Sequence, residues 1–286
     1  MHIHGFDYQR VPTADGVALN VATAGTGSPI VLLHGFPQTH LMWRHVAADL
    51  AADHTVIVPD LRGYGESDKP AEGYSKRTMA ADVVALATAL GHDRFALAGH
   101  DRGALVAIRA GLDHPDTITH LASLDVLPTL ESWDVLHGVR AAVGYHLFLM
   151  AQPADLPEKM IGAVPDEFFG SFLDAWARDP DAIPADVRAE YLRASRNAVP
   201  SIVADYRATA TIDIEHDSAD KAAGNRLRMP VTVLQQDWGA ALGFDAAAIW
   251  RTWAGDLDHR LSSAGHFMAE EAPAEVIKAI RDLLAR

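Results

Sequence analysis

The sequence predicts an α/β protein: a mostly parallel sheet with helices on both faces, interrupted by a helical insertion. Three observations carry this. Short apolar runs alternate with amphipathic stretches of helical period. The alternation stops near Pro128 and resumes near Pro230. Between an apolar run and a helical one stands Gly99-His100-Asp101-Arg102-Gly103, the setting of a sharp strand-to-helix turn.

Taken in order, the stretch 17–24 alternates apolar and small residues and reads as a strand. Gly25-Thr26-Gly27-Ser28 is a plain turn, since it lacks the Lys-Ser/Thr ending of a phosphate loop. The runs 29–33 and 55–58 have the unbroken apolar character of strands buried on both faces. An amphipathic helix follows over 77–90, stopped by Gly91. The strand 94–98 leads into the turn at Asp101, and the helix 104–109 leaves it. A further strand, 121–124, runs into Asp125. From Pro128 to about Asn225 the pattern is helical, punctuated by Pro153, Pro157, Pro165, Pro180, Pro184 and Pro200, with no strand. Strands at 230–235 and 256–261 and a helix over 274–284 close the chain. Residues 1–127 and 226–286 therefore read as the α/β core and 128–225 as a helical cap.

At 286 residues the chain can bury a large core. Its 49% hydrophobic and 22% charged residues are those of a soluble globular protein. A net charge of −14 argues against nucleic acid or an anionic membrane as partner. There is no cysteine, hence no disulfide and no thiolate metal site. No signal-like N-terminus and no bilayer-length apolar run are present, so a cytoplasmic location is expected. The scattered histidines His2, His4, His54 and His92 lack the helical pairing of a metal site, and no metal or cofactor is expected.

A parallel sheet places reactive groups at the carboxyl ends of its strands. Asp101, Asp125 and the His34-Gly35 turn all lie just past such ends, where a helical insertion would form a lid. Asp101 occupies the position that usually holds a serine nucleophile. It could be only a helix N-cap, but the flanking glycines after a buried strand favour a nucleophile. A carboxylate there suits displacement at saturated carbon, leaving an alkyl ester on the enzyme. His266, in the late loop Ser263-Ala264-Gly265-His266-Phe267, fits the chain order of nucleophile, acid, histidine. As general base it would activate the water that cleaves the ester, so that oxygen enters through the carboxylate. Two strand-end acids, Asp125 and Asp237, could orient it, and spacing alone does not choose between them. The backbone N–H groups of Phe36 and Arg102 would form the oxyanion hole. The Gly-rich loop Asp60–Ser67 lacks nucleotide-loop spacing and reads as structural.

These residues resemble the fluoroacetate (haloacetate) dehalogenase group of the α/β-hydrolases, over nearly the full length. The resemblance is carried by His34-Gly35-Phe36-Pro37-Gln38, Asp60-Leu61-Arg62-Gly63-Tyr64-Gly65, Gly99-His100-Asp101-Arg102-Gly103-Ala104 and Leu124-Asp125-Val126-Leu127-Pro128-Thr129. Tyr145-His146, Ala151-Gln152-Pro153, Asp205-Tyr206-Arg207-Ala208 and Gly265-His266-Phe267 continue it. It implies an α/β-hydrolase fold, Asp101 as nucleophile, His266 as base and Asp125 as the acid. It further implies that Arg102 binds a substrate carboxylate and that His146 and Tyr206 bind the departing halide. A homodimer acting on a small molecule is also implied. Two positions depart from the group: its second carboxylate-binding arginine falls on Leu105, and a third halide donor, a tryptophan, falls on Leu147. Loss of one arm of a charged clamp costs about 1.5–3 kcal/mol in a dry site. The pocket should therefore be more apolar than that of a fluoroacetate enzyme, favouring chloro- or bromo-acids, larger 2-halo acids or another electrophile.

Two other functions share these residues. An epoxide hydrolase would use the same aspartate and histidine, with Tyr206 and either Tyr145 or Tyr191 protonating the opening oxygen. A binding protein would keep the scaffold without turnover. Ordinary ester hydrolysis would require a mixed anhydride on Asp101.

Overall fold

A computed structural model describes residues 1–13 and 15–286. Eight strands form one sheet in the order β1-β2-β4-β3-β5-β6-β7-β8. They are β1 (Asp7–Pro12), β2 (Ala18–Ala24), β3 (Ser28–Leu33), β4 (His54–Pro59), β5 (Phe95–His100), β6 (Ile118–Leu124), β7 (Val231–Gln236) and β8 (Leu257–Ser262). The pairs β1/β2 and β2/β4 are antiparallel. All other pairs are parallel.

The central strands are apolar throughout because both of their faces are covered. On β3, Ile30 and Leu32 enter one core cluster while Val31 and Leu33 enter the other. Two helices cover the first face, α1 (Arg44–Leu50) near the start of the chain and a C-terminal helix over Pro273–Leu284. That last helix starts on proline, whose missing N–H costs nothing there, and its Val276, Ile280 and Leu283 fall on one buried stripe. The opposite face is covered by α2 (Lys76–Ala89), capped by the Ser75 hydroxyl on the Thr78 N–H, and α3 (Arg102–Asp113). Each of these aliphatic side chains contributes about 1.5–3 kcal/mol by leaving water. The strand β1 has no apolar run to announce it: five of its six residues are exposed or half-buried.

Between β6 and β7 the chain is helical: α4 (Thr129–Val135), α5 (Tyr145–Met150), α6 (Leu156–Ala163), α7 (Pro165–Trp176), α8 (Ala185–Arg196), α9 (Val199–Thr209) and α10 (Ile212–Ala223). This insertion lies over the carboxyl ends of the strands. Its aromatic residues Phe169, Phe172, Trp176 and Tyr206 surround the Phe36 ring at the end of β3. After β7 come α11 (Trp238–Leu242), α12 (Ala246–Trp253), α13 (Met268–Glu271) and α14, the C-terminal helix already described. Among the described residues no helix is long and apolar enough to cross a membrane.

Candidate active site

Asp101 sits at the tip of the turn between β5 and α3 with φ 48° and ψ −115°. A non-glycine residue rarely adopts this conformation, at a cost of about 1–3 kcal/mol. Tight packing on either side enforces it. A Cβ on Gly99 would lie 2.4 Å from the Gly103 carbonyl, and one on Gly103 would lie 2.4 Å from that of Leu33. The side chain caps no N–H of its own helix, which removes the N-cap reading. Its Oδ1 instead accepts the Phe36 N–H at 2.7 Å. The Arg102 N–H is the first of α3 and, as at any helix start, has no carbonyl partner within the helix.

His266 lies beyond β8, with its Nε2 3.9 Å from Asp101 Oδ2. Its Nδ1–H donates to Asp125 Oδ2 at 2.7 Å. Asp125, at the end of β6, is also held in a strained backbone conformation, φ 52°. Its two oxygens accept the backbone and side-chain N–H groups of Gln236, each at 2.8 Å. Of the two strand-end acids, Asp125 therefore reaches the histidine. Asp237 points away and caps α11 through the Ala240 N–H at 2.9 Å. Burial opposes a charge on His266, but the Asp125 hydrogen bond and the charges of Asp125 and Asp101 outweigh it, so its pKa lies above the ordinary value. Its Nε2 is buried without a protein partner.

A cavity of about 300 Å³ opens over the Asp101 carboxylate. Across it stand His146 and Tyr206, 5.4 Å apart between ring centroids. The Tyr206 hydroxyl and His146 Nδ1 are buried and have no hydrogen-bond partner. Burial lowers the His146 pKa to about 3, so the ring is neutral. Burial, with the Asp101 charge, raises that of the Tyr206 O–H well above its ordinary range, so the proton stays in place. Two neutral polar groups without a protein partner thus line the same cavity as the Asp101 carboxylate. The other tyrosines do not join them. Tyr191 donates its O–H to Glu270, and Tyr145 is half-exposed, stacked on Phe172. The tyrosine pair that an epoxide hydrolase would have used, Tyr206 with Tyr145 or Tyr191, does not line this cavity; the polar group beside Tyr206 is His146.

Arg102 borders the cavity but is largely engaged. Its Nε donates to Asp205 Oδ2 at 2.8 Å, and its Nη2 bonds the Asp205 carbonyl and Thr209. The guanidinium lies 4.0 Å above the Tyr206 ring. Asp205 also takes the Tyr64 O–H at 2.6 Å and the Lys76 ammonium, so Arg102 enters the site with its charge already matched. Of the three guanidinium nitrogens, Nη1 has no side-chain or backbone partner among the described residues. Leu105, Leu127, Leu136, Leu147 and Trp133 line the wall beyond it. His34, by contrast, is structural: its Nε2 accepts the Leu61 N–H at 3.0 Å. The Asp60 loop is structural as well, with Asp60 holding Asn20, His40 and the Glu66 N–H.

Sequence reading missed Gln236, the residue that fixes Asp125. The available signal was a polar pair, Gln235-Gln236, ending a mostly apolar strand. It also missed Asp205 as the partner of Arg102, for which no local pattern exists.

A carboxylate in a strained turn, a histidine oriented by a second carboxylate and a helical lid over parallel strand ends define a hydrolase site. Comparison with known proteins agrees. The alpha/beta hydrolase fold family matches residues 28–273, and the chain belongs to that family. It is 36% identical to a fluoroacetate dehalogenase of Burkholderia sp, covering 98% of this chain and 94% of the relative. It is 34% identical to a soluble epoxide hydrolase of Corynebacterium sp. (strain C12), covering 92% of each. A structure from Nostoc sp PCC 7120 assigned to the alpha/beta hydrolases superposes with a TM-score of 0.94 at 40% identity, covering 99% of both chains.

Proposed function

We propose that this hydrolase removes halide from a small halogenated carboxylic acid through an alkyl ester on Asp101. The observation that supports it is the pair of unsatisfied groups, Tyr206 and His146, facing a carboxylate whose one oxygen is tied to Phe36 and whose other points at His266. In the first step Asp101 Oδ2 attacks the halogen-bearing carbon. The C–O bond forms as the carbon–halogen bond breaks, and the halide leaves into the Tyr206 O–H and a His146 N–H. In the second step His266 Nε2 takes a proton from water, and the hydroxide adds to the ester carbon. The negative charge develops on Oδ1, where the Phe36 and Arg102 N–H groups receive it. Collapse expels the product alkoxide, which recovers the proton from His266. The regenerated Asp101 carboxyl loses its own proton to solvent, so the products are a hydroxy acid, halide and a proton.

Arg102 Nη1 is the group available to a substrate carboxylate. The cavity, about 300 Å³, is larger than a haloacetate requires. Its leucine wall favours a 2-halo acid with an apolar arm, and chloride or bromide over fluoride as leaving group. A second reading is epoxide opening, favoured by the charge matching of Arg102 with Asp205, which leaves the site no need for an anion. There Tyr206 would donate its proton to the epoxide oxygen.

The test is mass spectrometry of a His266→Ala variant with bromoacetate, a longer 2-bromo acid and styrene oxide, beside halide release by the parent enzyme. The halo-acid reading expects a stable adduct on Asp101 and free halide. An adduct from styrene oxide alone supports the epoxide reading, and no adduct from any of the three overturns both.

A further inference from the structure

The residues that hold His266 are not all in the core. Its backbone N–H donates to the carbonyl of Trp176, the last residue of α7, at 2.9 Å. The Trp176 ring lies against the imidazole, 4.9 Å between centroids, and also lines the cavity. One carboxylate secures this junction. Glu271 Oε2, in α13, accepts the N–H of Gly265 at 3.1 Å and those of Arg178 and Asp179 at 2.9 and 3.0 Å. The first belongs to the loop that carries His266; the other two belong to the helical insertion. Arg178 adds a bond from its side chain to the Ser263 carbonyl. The fit leaves no slack, since a Cβ on Gly265 would lie 2.5 Å from the Arg178 nitrogen.

We propose that Glu271 is a positioning residue for the water-activating base, acting by clamping the insertion segment Arg178-Asp179 to the His266 loop. The inference rests on the two-step reading above. Glu271 touches neither substrate nor reacting atoms. Three N–H groups from two parts of the chain converge on one of its oxygens, and an ionised acceptor makes such bonds roughly twice as strong as neutral ones. Without it, among the described residues, the loop and the insertion are joined near His266 by the Trp176 carbonyl, the Trp176 ring and the Arg178 side chain. The imidazole then samples positions from which Nε2 no longer meets a water above the ester carbon. Alkylation of Asp101 does not use His266 as a base and is spared.

The experiment follows the two half-reactions separately in the parent, Glu271→Ala, Glu271→Gln and His266→Ala enzymes, with bromoacetate and a longer 2-bromo acid. Rapid quench and mass spectrometry read ester formation and ester decay, and thermal melting reports folding. Glu271→Ala should slow ester decay by about tenfold or more, a part of the ~10²-fold that a misplacement of about 1 Å can cost, while ester formation stays near the parental rate. Glu271→Gln keeps an acceptor oxygen at the same reach but a neutral one, so it should recover only part of the decay rate lost in Glu271→Ala. Equal slowing of both steps, or unchanged decay in both variants, overturns the proposal. Absence of any ester in His266→Ala would instead remove the two-step reading on which it stands. Should Glu271→Ala fail to fold, the Gln variant decides: its decay must be slowed more than its ester formation, or the clamp plays no part in positioning.

Discussion

Asp125 accepts the Nδ1–H of His266 at 2.7 Å across 141 residues of sequence, joining the end of β6 to the loop after β8. That bond fixes the tautomer: with Nδ1 as donor, Nε2 is the nitrogen free to take a proton. Asp125→Asn would present an amide that can bond the opposite tautomer. A loss of about 10⁴-fold in turnover is expected from comparable acid-to-amide changes. Asp237→Asn should leave turnover near the parental level, because asparagine caps a helix as well as aspartate does. Steady-state halide release from the two purified variants decides the assignment. A silent Asp125→Asn beside an inactive Asp237→Asn would reverse it.

The pH dependence has a definite sign. The groups facing His266 are Asp125, Asp101, Glu271 and the two histidines His100 and His146. The pKa of His100 is depressed to about 4 and that of His146 to about 3, chiefly by burial, so both are neutral at working pH. The three carboxylates raise the His266 pKa. As a base, His266 must be neutral, so ester decay rises with pH through its titration. In the ester form Asp101 has lost its charge, and one raising influence is gone. The acid limb of ester decay should therefore lie below the pKa measured for His266 by NMR in the free enzyme. For stability the sign is opposite. The raised folded value gives stabilisation that is complete below the unfolded pKa of ~6.5 and lost as pH climbs through the folded one. A decay limb above the NMR value contradicts the assignment of His266 as base.

Tyr206 is expected to act only while the leaving group departs. Its hydroxyl has no protein partner, whereas its ring supports Arg102 from 4.0 Å. Tyr206→Phe keeps the ring and removes the donor. A hydrogen bond to a developing anion contributes about 1.5–3 kcal/mol, or roughly 10–150-fold in rate. The alkylation rate should fall within that range, most for a fluoro-acid and least for a bromo-acid, because fluoride is the strongest acceptor and the poorest leaving group. Ester decay should be unchanged. Uniform slowing across the halogens would assign Tyr206 to packing.

Much of this was legible in the sequence, and the rest was hidden for identifiable reasons. Strands β3, β4 and β5 were readable because two covered faces demand nearly unbroken apolar runs, and β6 by the shorter buried stretch 121–124. The edge strand β1, Asp-Tyr-Gln-Arg-Val-Pro, has one covered neighbour and no such demand, so nothing marked it. Asp101 and His266 lie in local contexts that spacing reveals. The choice between Asp125 and Asp237 does not lie in spacing, because β6 and β7 are parallel neighbours and both acids emerge at the same edge of the sheet. Only the direction of each side chain separates them. Gln236, Asp205 and Glu271 act through contacts between distant segments, and no pattern of periodicity or motif records such a contact.

Asp205 offers the clearest measurement of how the insertion is held to the core. It is fully buried in α9, and it neutralises Arg102 from α3 and Lys76 from α2 while accepting the Tyr64 O–H. Burial works against its charge, yet the two cations prevail and hold its pKa below the ordinary carboxylate range. Asp213 stands 3.8 Å from the Lys76 ammonium as a second, more distant counter-charge. Asp205→Asn fills the same volume but leaves two buried cations with one carboxylate between them. Removing one partner of a buried ion pair costs about 3–5 kcal/mol. For a chain of this size each kcal/mol lowers the melting temperature by about 2–4 °C, so a drop on the order of 10 °C is expected in a thermal melt. The sign with pH follows from the depressed folded pKa. The parent's advantage over the variant should be complete above the unfolded carboxylate value of ~3.9 and shrink as pH falls through the folded one. A melt of Asp205→Asn within a degree or two of the parent at neutral pH would show that the two cations find other partners, and that the insertion is held mainly by its other contacts, the aromatic ones around Phe36 and the bonds near His266.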